Sequence, residues 1–142
     1  MKTQLVSLLI IGSLLGGCRL ESPVALSGSP VRSGDCIVCG TWSYSSYEQR
    51  GHNQYVSVYT RTNDFINQSG LKFLADGQFV ERTNSGWCGT PPISYADYTG
   101  RWRPEGNLLL VDGRYWGGPQ RSEITVVSVD SDKLVIERAY KQ

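Results

Sequence analysis

The chain of 142 residues holds one histidine, and its charge is nearly balanced, with 14 Lys and Arg against 13 Asp and Glu. His52 stands in a polar, turn-like stretch, Gln49 to Gln54, where an exposed loop imidazole is expected rather than a catalytic one. No Ser–His–Asp pattern stands out. Six aspartates (Asp64, Asp76, Asp97, Asp112, Asp130 and Asp132) lie at or near turn signals, where the side chain bonds its own backbone. No catalytic residue is therefore assigned, and the chain reads as a non-enzyme. A net charge near zero with no basic stripe argues against a nucleic-acid partner. From Gly40 onwards no long segment keeps a helical period, which excludes a helical architecture. The apolar run Leu5 to Leu15 is too short for a membrane-spanning helix.

That run belongs to a secretory signal: Lys2 supplies the positive start, and Gly16 and Gly17 are small residues before Cys18. Leu15-Gly16-Gly17-Cys18 resembles the bacterial lipobox. The resemblance implies cleavage before Cys18 and its lipidation with fatty-acyl chains such as palmitate. Arg19, rather than Asp, after the cysteine implies sorting to the outer membrane. "RLESPVALSGSPVRSGD", 19–35, is rich in Ser, Pro and Gly and reads as a flexible tether. The expected organisation is a signal peptide over 1–17, a lipid anchor and tether over 18–35, and one folded domain over 36–142.

Cys36, Cys39 and Cys88 remain, an odd number in an oxidising compartment, so one disulfide and one thiol are expected. Cys36-Ile37-Val38-Cys39 has redox-motif spacing, but the strand-like Gly40-Thr41-Trp42 follows instead of the helix that would lower a thiol pKa. A haem site would need His at position 40. Zinc would need Cys36, Cys39, Cys88 and His52 to converge, which that compartment disfavours. No metal or cofactor is assigned. Pro91-Pro92 cannot sit within a paired strand, so Cys88 heads a stiff crossover between two strands. A bridge from Cys88 to Cys36 or Cys39 is preferred because it joins distant chain; Cys36–Cys39 is the alternative.

Short β-branched and aromatic runs recur between turn residues, giving strands over 40–48, 54–61, 70–75, 78–84, 97–103, 107–112, 120–129 and 133–140. Asp76-Gly77 reads as a two-residue type I′ hairpin turn, Asp112-Gly113 repeats the dipeptide, and Asp130 to Asp132 turns a third hairpin. Eight antiparallel strands close most simply as an all-β, up-and-down β-barrel. A faint echo relates the halves: Gly40-Thr41-Trp42 returns as Gly100-Arg101-Trp102, and "FVERT" at 79–83 as "VIERA" at 135–139. Within each Glu-Arg pair, Glu81-Arg82 and Glu137-Arg138, one member must face in and the other out.

These residues carry a family resemblance. Gly40-Thr41-Trp42 on the first strand, a meander, and an arginine on the last strand resemble the lipocalin pattern. Phe73 to Phe79, Cys88 to Pro92 and Tyr98 to Trp102 are similar to segments of bacterial lipocalin-like lipoproteins. The resemblance implies a barrel closed at one end by Trp42 with Arg138 packed across its indole. Eight tyrosines add amphipathic contact surface. Tyr44, Tyr95, Tyr98 and Trp102 are the candidate contacts at the mouth. The expected function is a monomeric, lipid-anchored envelope binding protein holding a small apolar ligand in or at the mouth of its barrel. The alternative is a filled barrel that contacts an envelope protein or inhibits a hydrolase. Leu108–Val111, Val126–Val129 and Leu134–Ile136 are apolar on both faces, which points towards a filled core or an extra outer layer.

Overall fold

Alternation of apolar and polar residues decides which face of each strand turns inward. The computed structural model describes residues 36–85 and 91–141. It places eight strands there: β1 Gly40–Gln49, β2 Tyr55–Thr62, β3 Gly70–Phe73, β4 Gln78–Asn84, β5 Tyr95–Glu105, β6 Leu108–Tyr115, β7 Gly118–Val129 and β8 Lys133–Lys141. Each matches an expected strand, with its ends moved by a few residues. Cys18, Cys88, the signal sequence and the tether lie outside the described residues. Every strand pair is antiparallel, and the sheet closes on itself in the order β1-β2-β8-β7-β6-β5-β4-β3. The all-β, eight-stranded closed barrel is as expected.

One connection leaves the sequential order. β1 lies between β2 and β3, so the chain must cross β1 from Thr62, opposite Thr41, to Gly70, opposite Ser43. The crossing runs over the outer surface, which is why the outward-facing Thr41 and Ser43 are buried, at 3% and 2% exposure. The Ser43 and Thr62 hydroxyls lie 3.1 Å apart in a hydrogen bond, and Tyr44 N–H donates to the Ser69 carbonyl. Phe65 anchors the crossing. Its ring occupies the space where a Gly70 side chain would stand, and the Arg82 guanidinium covers it at 4.7 Å.

Turn chemistry corrects two local expectations. Leu74 N–H donates to the Gln78 carbonyl and Gly77 N–H to the Leu74 carbonyl. Gly77 takes φ 84°, while Asp76 stays at negative φ. A type I′ turn needs positive φ at both central residues, so this is a longer hairpin turn ending on a left-handed glycine. Asp112-Gly113 makes no turn at all. Gly113 pairs with Gln120 within the β6–β7 ladder, and the hairpin reverses at Trp116-Gly117. The β7–β8 turn is as expected: Asp130 Oδ1 accepts from the Asp132 and Lys133 amides.

Inward side chains fill the lower and middle barrel. Trp42, Leu71, Phe73, Phe79, Leu109, Ile124, Leu134 and Ile136 are at most 1% exposed and form one cluster with Trp102. The Phe73 ring packs on Phe79 at 5.1 Å and edge-on to Trp102 at 5.5 Å. Burial of each large apolar side chain contributes about 1.5–3 kcal/mol, so this cluster dominates the fold's stability. Val58 and Val135 pair across β2 and β8 on the opposite face, where they join a separate cluster with Val56 and Val127.

Candidate functional site

The barrel has two chemically different ends. At the first, the Trp42 indole is fully buried, and its N–H donates to the Val38 carbonyl at 2.7 Å. Arg61, on β2, lies over the indole with its guanidinium carbon 4.0 Å from the ring centre. The same guanidinium donates to the carbonyls of Cys39 (2.7 Å), Ile37 (2.9 Å) and Ser131 (2.6 Å). One side chain thus ties the approach to β1 to the β7–β8 turn. Gly40 makes this possible. Its φ is 128°, and a Cβ there would stand 2.5 Å from Arg61 Nη1. The expected Trp42–Arg138 stack is therefore corrected: the arginine on Trp42 is Arg61.

Cys36 and Cys39 form a disulfide that closes the loop beneath Trp42. This corrects the preferred bridge to Cys88. The pairing follows from the Cys39 amide, which donates to the Cys36 carbonyl in a tight turn and brings the two Cα atoms to 5.2 Å.

At the other end, Arg138 faces inward on β8 and Glu81 inward on β4, strands that are not neighbours in the sheet. Their side chains form a two-pronged ion pair at 2.6 and 2.8 Å. Arg138 Nε also donates to Ser122 Oγ at 3.1 Å. The pair is largely buried, with side-chain exposures of 11% for Arg138 and 20% for Glu81. Burial works against the Arg138 charge, but the hydrogen bonds and attraction of Glu81 outweigh it and hold the guanidinium protonated. Arg82 and Glu137 take the outward positions, so the Glu-Arg echo puts opposite members inside.

Tyrosines surround this pair. Tyr98 is opposite Glu81 in the β4–β5 register, and the Tyr140 ring lies 5.1 Å from the Arg138 guanidinium carbon. Tyr59 is buried, and Tyr44 packs edge-on between Tyr59 (5.8 Å) and Tyr47 (5.3 Å). Burial raises the Tyr59 phenol well above its ordinary range, the nearby Arg138 charge offsetting part of that rise. On β6, Gly113 would accept a methyl in ordinary contact. A Cβ built there would meet nothing nearer than Val111 at 3.8 Å and Phe79 and the Gln120 carbonyl at 4.0 Å.

Of the expected contacts, Tyr44 and Tyr98 are half-buried at this end. Tyr95 is half-buried on the outward alternation of β5, away from the pair. Trp102 is a core residue: it is 6% exposed, and its indole N–H donates to the Leu74 carbonyl at 2.8 Å. Glu81 and Arg61 are the important residues not assigned from sequence. Counting by two from Phe79 and from Tyr59 puts both on the inner face. Among the described residues no group of three His, Cys, Asp or Glu could hold a metal ion, and no buried polar side-chain atom lacks a partner.

The closed eight-stranded antiparallel barrel is compatible with a lipocalin-like fold. No family model matches the chain, and neither the curated proteins nor the solved structures include a significant match.

Proposed function

We propose that this chain is a non-catalytic binding protein of the cell envelope, anchored to the outer membrane through acylated Cys18, that takes a small molecule at the mouth of its barrel. The observation that carries this reading is the largely buried Glu81–Arg138 pair, walled by Tyr44, Tyr59, Tyr98 and Tyr140. Aromatic faces suit an apolar body, and the ion pair suits one polar group on it. A ligand with both fits this end better than a wholly apolar one.

Native mass spectrometry of protein purified from its own host tests the reading. A retained small molecule is expected, and Tyr98→Ala should weaken its retention. Protein that carries no small molecule would overturn it. A second reading, a protein docked across the rim, is favoured by the exposure of Tyr47, Tyr55, Trp116 and Tyr140 near this end. Co-purification of a stoichiometric envelope protein without a small molecule would support that reading. The anchor is tested separately: Cys18→Ala should move the protein from the high-salt-washed membrane fraction to the soluble one.

A further inference from the structure

Strand pairing gathers cations that the sequence scatters. On the outer face of β5 to β8 the register sets Arg101, Asp112, Arg121 and Lys141 in one row. The adjacent row holds Arg103, Leu110 and Glu123, and Arg114 lies beyond the first row on β6. These two rows and Arg114 hold five cations and two carboxylates; the next outward row, towards the Trp42 end, carries Glu105 and Glu137. Arg121 bonds Asp112 at 2.8 Å and Lys141 bonds Glu123 at 3.0 Å, but all four side chains are well exposed, so the pairs are weak. Arg103 and Arg114 are exposed and form no ion pair with the other described residues. Asp64, Asp76, Glu105, Asp130 and Asp132 lie in or beside the turns at the Trp42 end, Glu137 faces outward one row from Glu123, and Asp97 on β5 is paired with Arg82.

We propose that this face docks on anionic phospholipid headgroups, laying the barrel side-on against the membrane. The proposal rests on the anchor reading above. Four of the five cations are arginine, whose planar fork matches phosphate oxygens. Leu110 and the cations flanking it form a shallow groove between β5 and β8. At the tip of the β6–β7 hairpin Trp116 is 47% exposed, two residues from Arg114. An amphipathic indole beside cations suits the headgroup layer. Residues 18–35, if extended, span about 60 Å, against about 40 Å for the longest strand, β7. Such a tether lets any face reach the bilayer, and charge then selects this one.

The test is flotation of residues 18–142 carrying Cys18→Ala, so that neither the signal peptide nor an acyl group holds the protein, with two kinds of vesicle. One is phosphatidylcholine alone; the other includes about 30% phosphatidylglycerol to supply anionic headgroups. The expected result is binding to the anionic vesicles only, lost at high salt. Arg103→Glu with Arg114→Glu should weaken it at least tenfold. Arg103→Gln with Arg114→Gln, which leaves folding least disturbed, should weaken it several-fold. Arg50→Glu with Lys72→Glu carries the same change in net charge on other surfaces and should have little effect. Equal loss in both Glu pairs, equal binding to neutral vesicles, or no binding would each overturn the proposal. So would retention on heparin without vesicle binding, which would point to a free polyanion instead. If Cys18→Ala leaves the protein in the membrane fraction of cells after a high-salt wash, the anchor reading fails on its own, and the vesicle result is judged separately.

Discussion

Glu81 and Arg138 join β4 to β8 across the barrel interior, although no backbone ladder connects those strands. The pair acts as a strut between opposite walls. Its members, 57 positions apart, occupy two inward positions that apolar side chains fill elsewhere in the barrel.

Removing one member should be costly because the other is left largely buried and unpaired. Arg138→Ala or Glu81→Ala should each lower stability by about 3 kcal/mol, read by urea denaturation. The double change Glu81→Leu with Arg138→Met should recover most of that loss. Losses that simply add would mean that the two side chains act independently.

The knot at the opposite end gives a second test. Trp42→Ala should cost about 3–5 kcal/mol, as for a core tryptophan. Arg61→Ala should cost about 1–2 kcal/mol, because it releases three loop carbonyls as well as the indole face. The two losses should fall short of additivity by about 0.5 kcal/mol or more, whereas Trp42→Ala and Arg138→Ala should add. Coupling of Trp42 to Arg138 instead of Arg61 would refute the assignment.

Much of this architecture was readable because alternation is a local signal. Leu71, Phe73, Leu134 and Ile136 announce their inward faces by period two, and all eight strands follow. Arg61 was missed because an arginine near a strand end resembles a solvated one, and only counting from Tyr59 turns it inward. The crossing over β1 was hidden for a different reason. Nothing in Asn63 to Ser69 marks a jump to a non-adjacent strand, and it is the fit of Phe65 over Gly70 that fixes it. The second Asp-Gly misled because the dipeptide permits a turn without requiring one; at Gly113 the β7 ladder was stronger. The exterior basic face was invisible because its cations are spread from Arg101 to Lys141.

The short disulfide should matter modestly. Closing the loop from Cys36 to Cys39 removes little unfolded-state entropy, about 2 kcal/mol in the chain-entropy model, against 3–4 kcal/mol for a bridge over about 50 residues. Cys39→Ser should therefore cost about 1–2 kcal/mol, part of it through looser carbonyls for Arg61. Non-reducing peptide mapping should recover Cys36 and Cys39 in one cross-linked peptide. A peptide joining Cys88 to either would show that the pairing is different.

The buried Tyr59 predicts a weakness in alkali. In the unfolded chain a tyrosine phenol ionises near pH 10. In the folded barrel burial holds the Tyr59 proton to a higher pH, with Arg138 only partly opposing that effect. Below about pH 10 the phenol is neutral in both states, and its contribution to stability is fully present. Above that pH the unfolded chain loses a proton that the folded chain keeps, so stability falls by up to about 1.4 kcal/mol per pH unit until the folded phenol also titrates. Urea midpoints followed from pH 8 to above pH 10 should show this decline, and Tyr59→Phe should flatten it relative to the wild type. Lysine deprotonation and the more exposed tyrosines act in both proteins, so the difference between the two curves isolates Tyr59. Parallel curves would mean that water reaches this phenol, and with it the floor of the mouth beside Arg138.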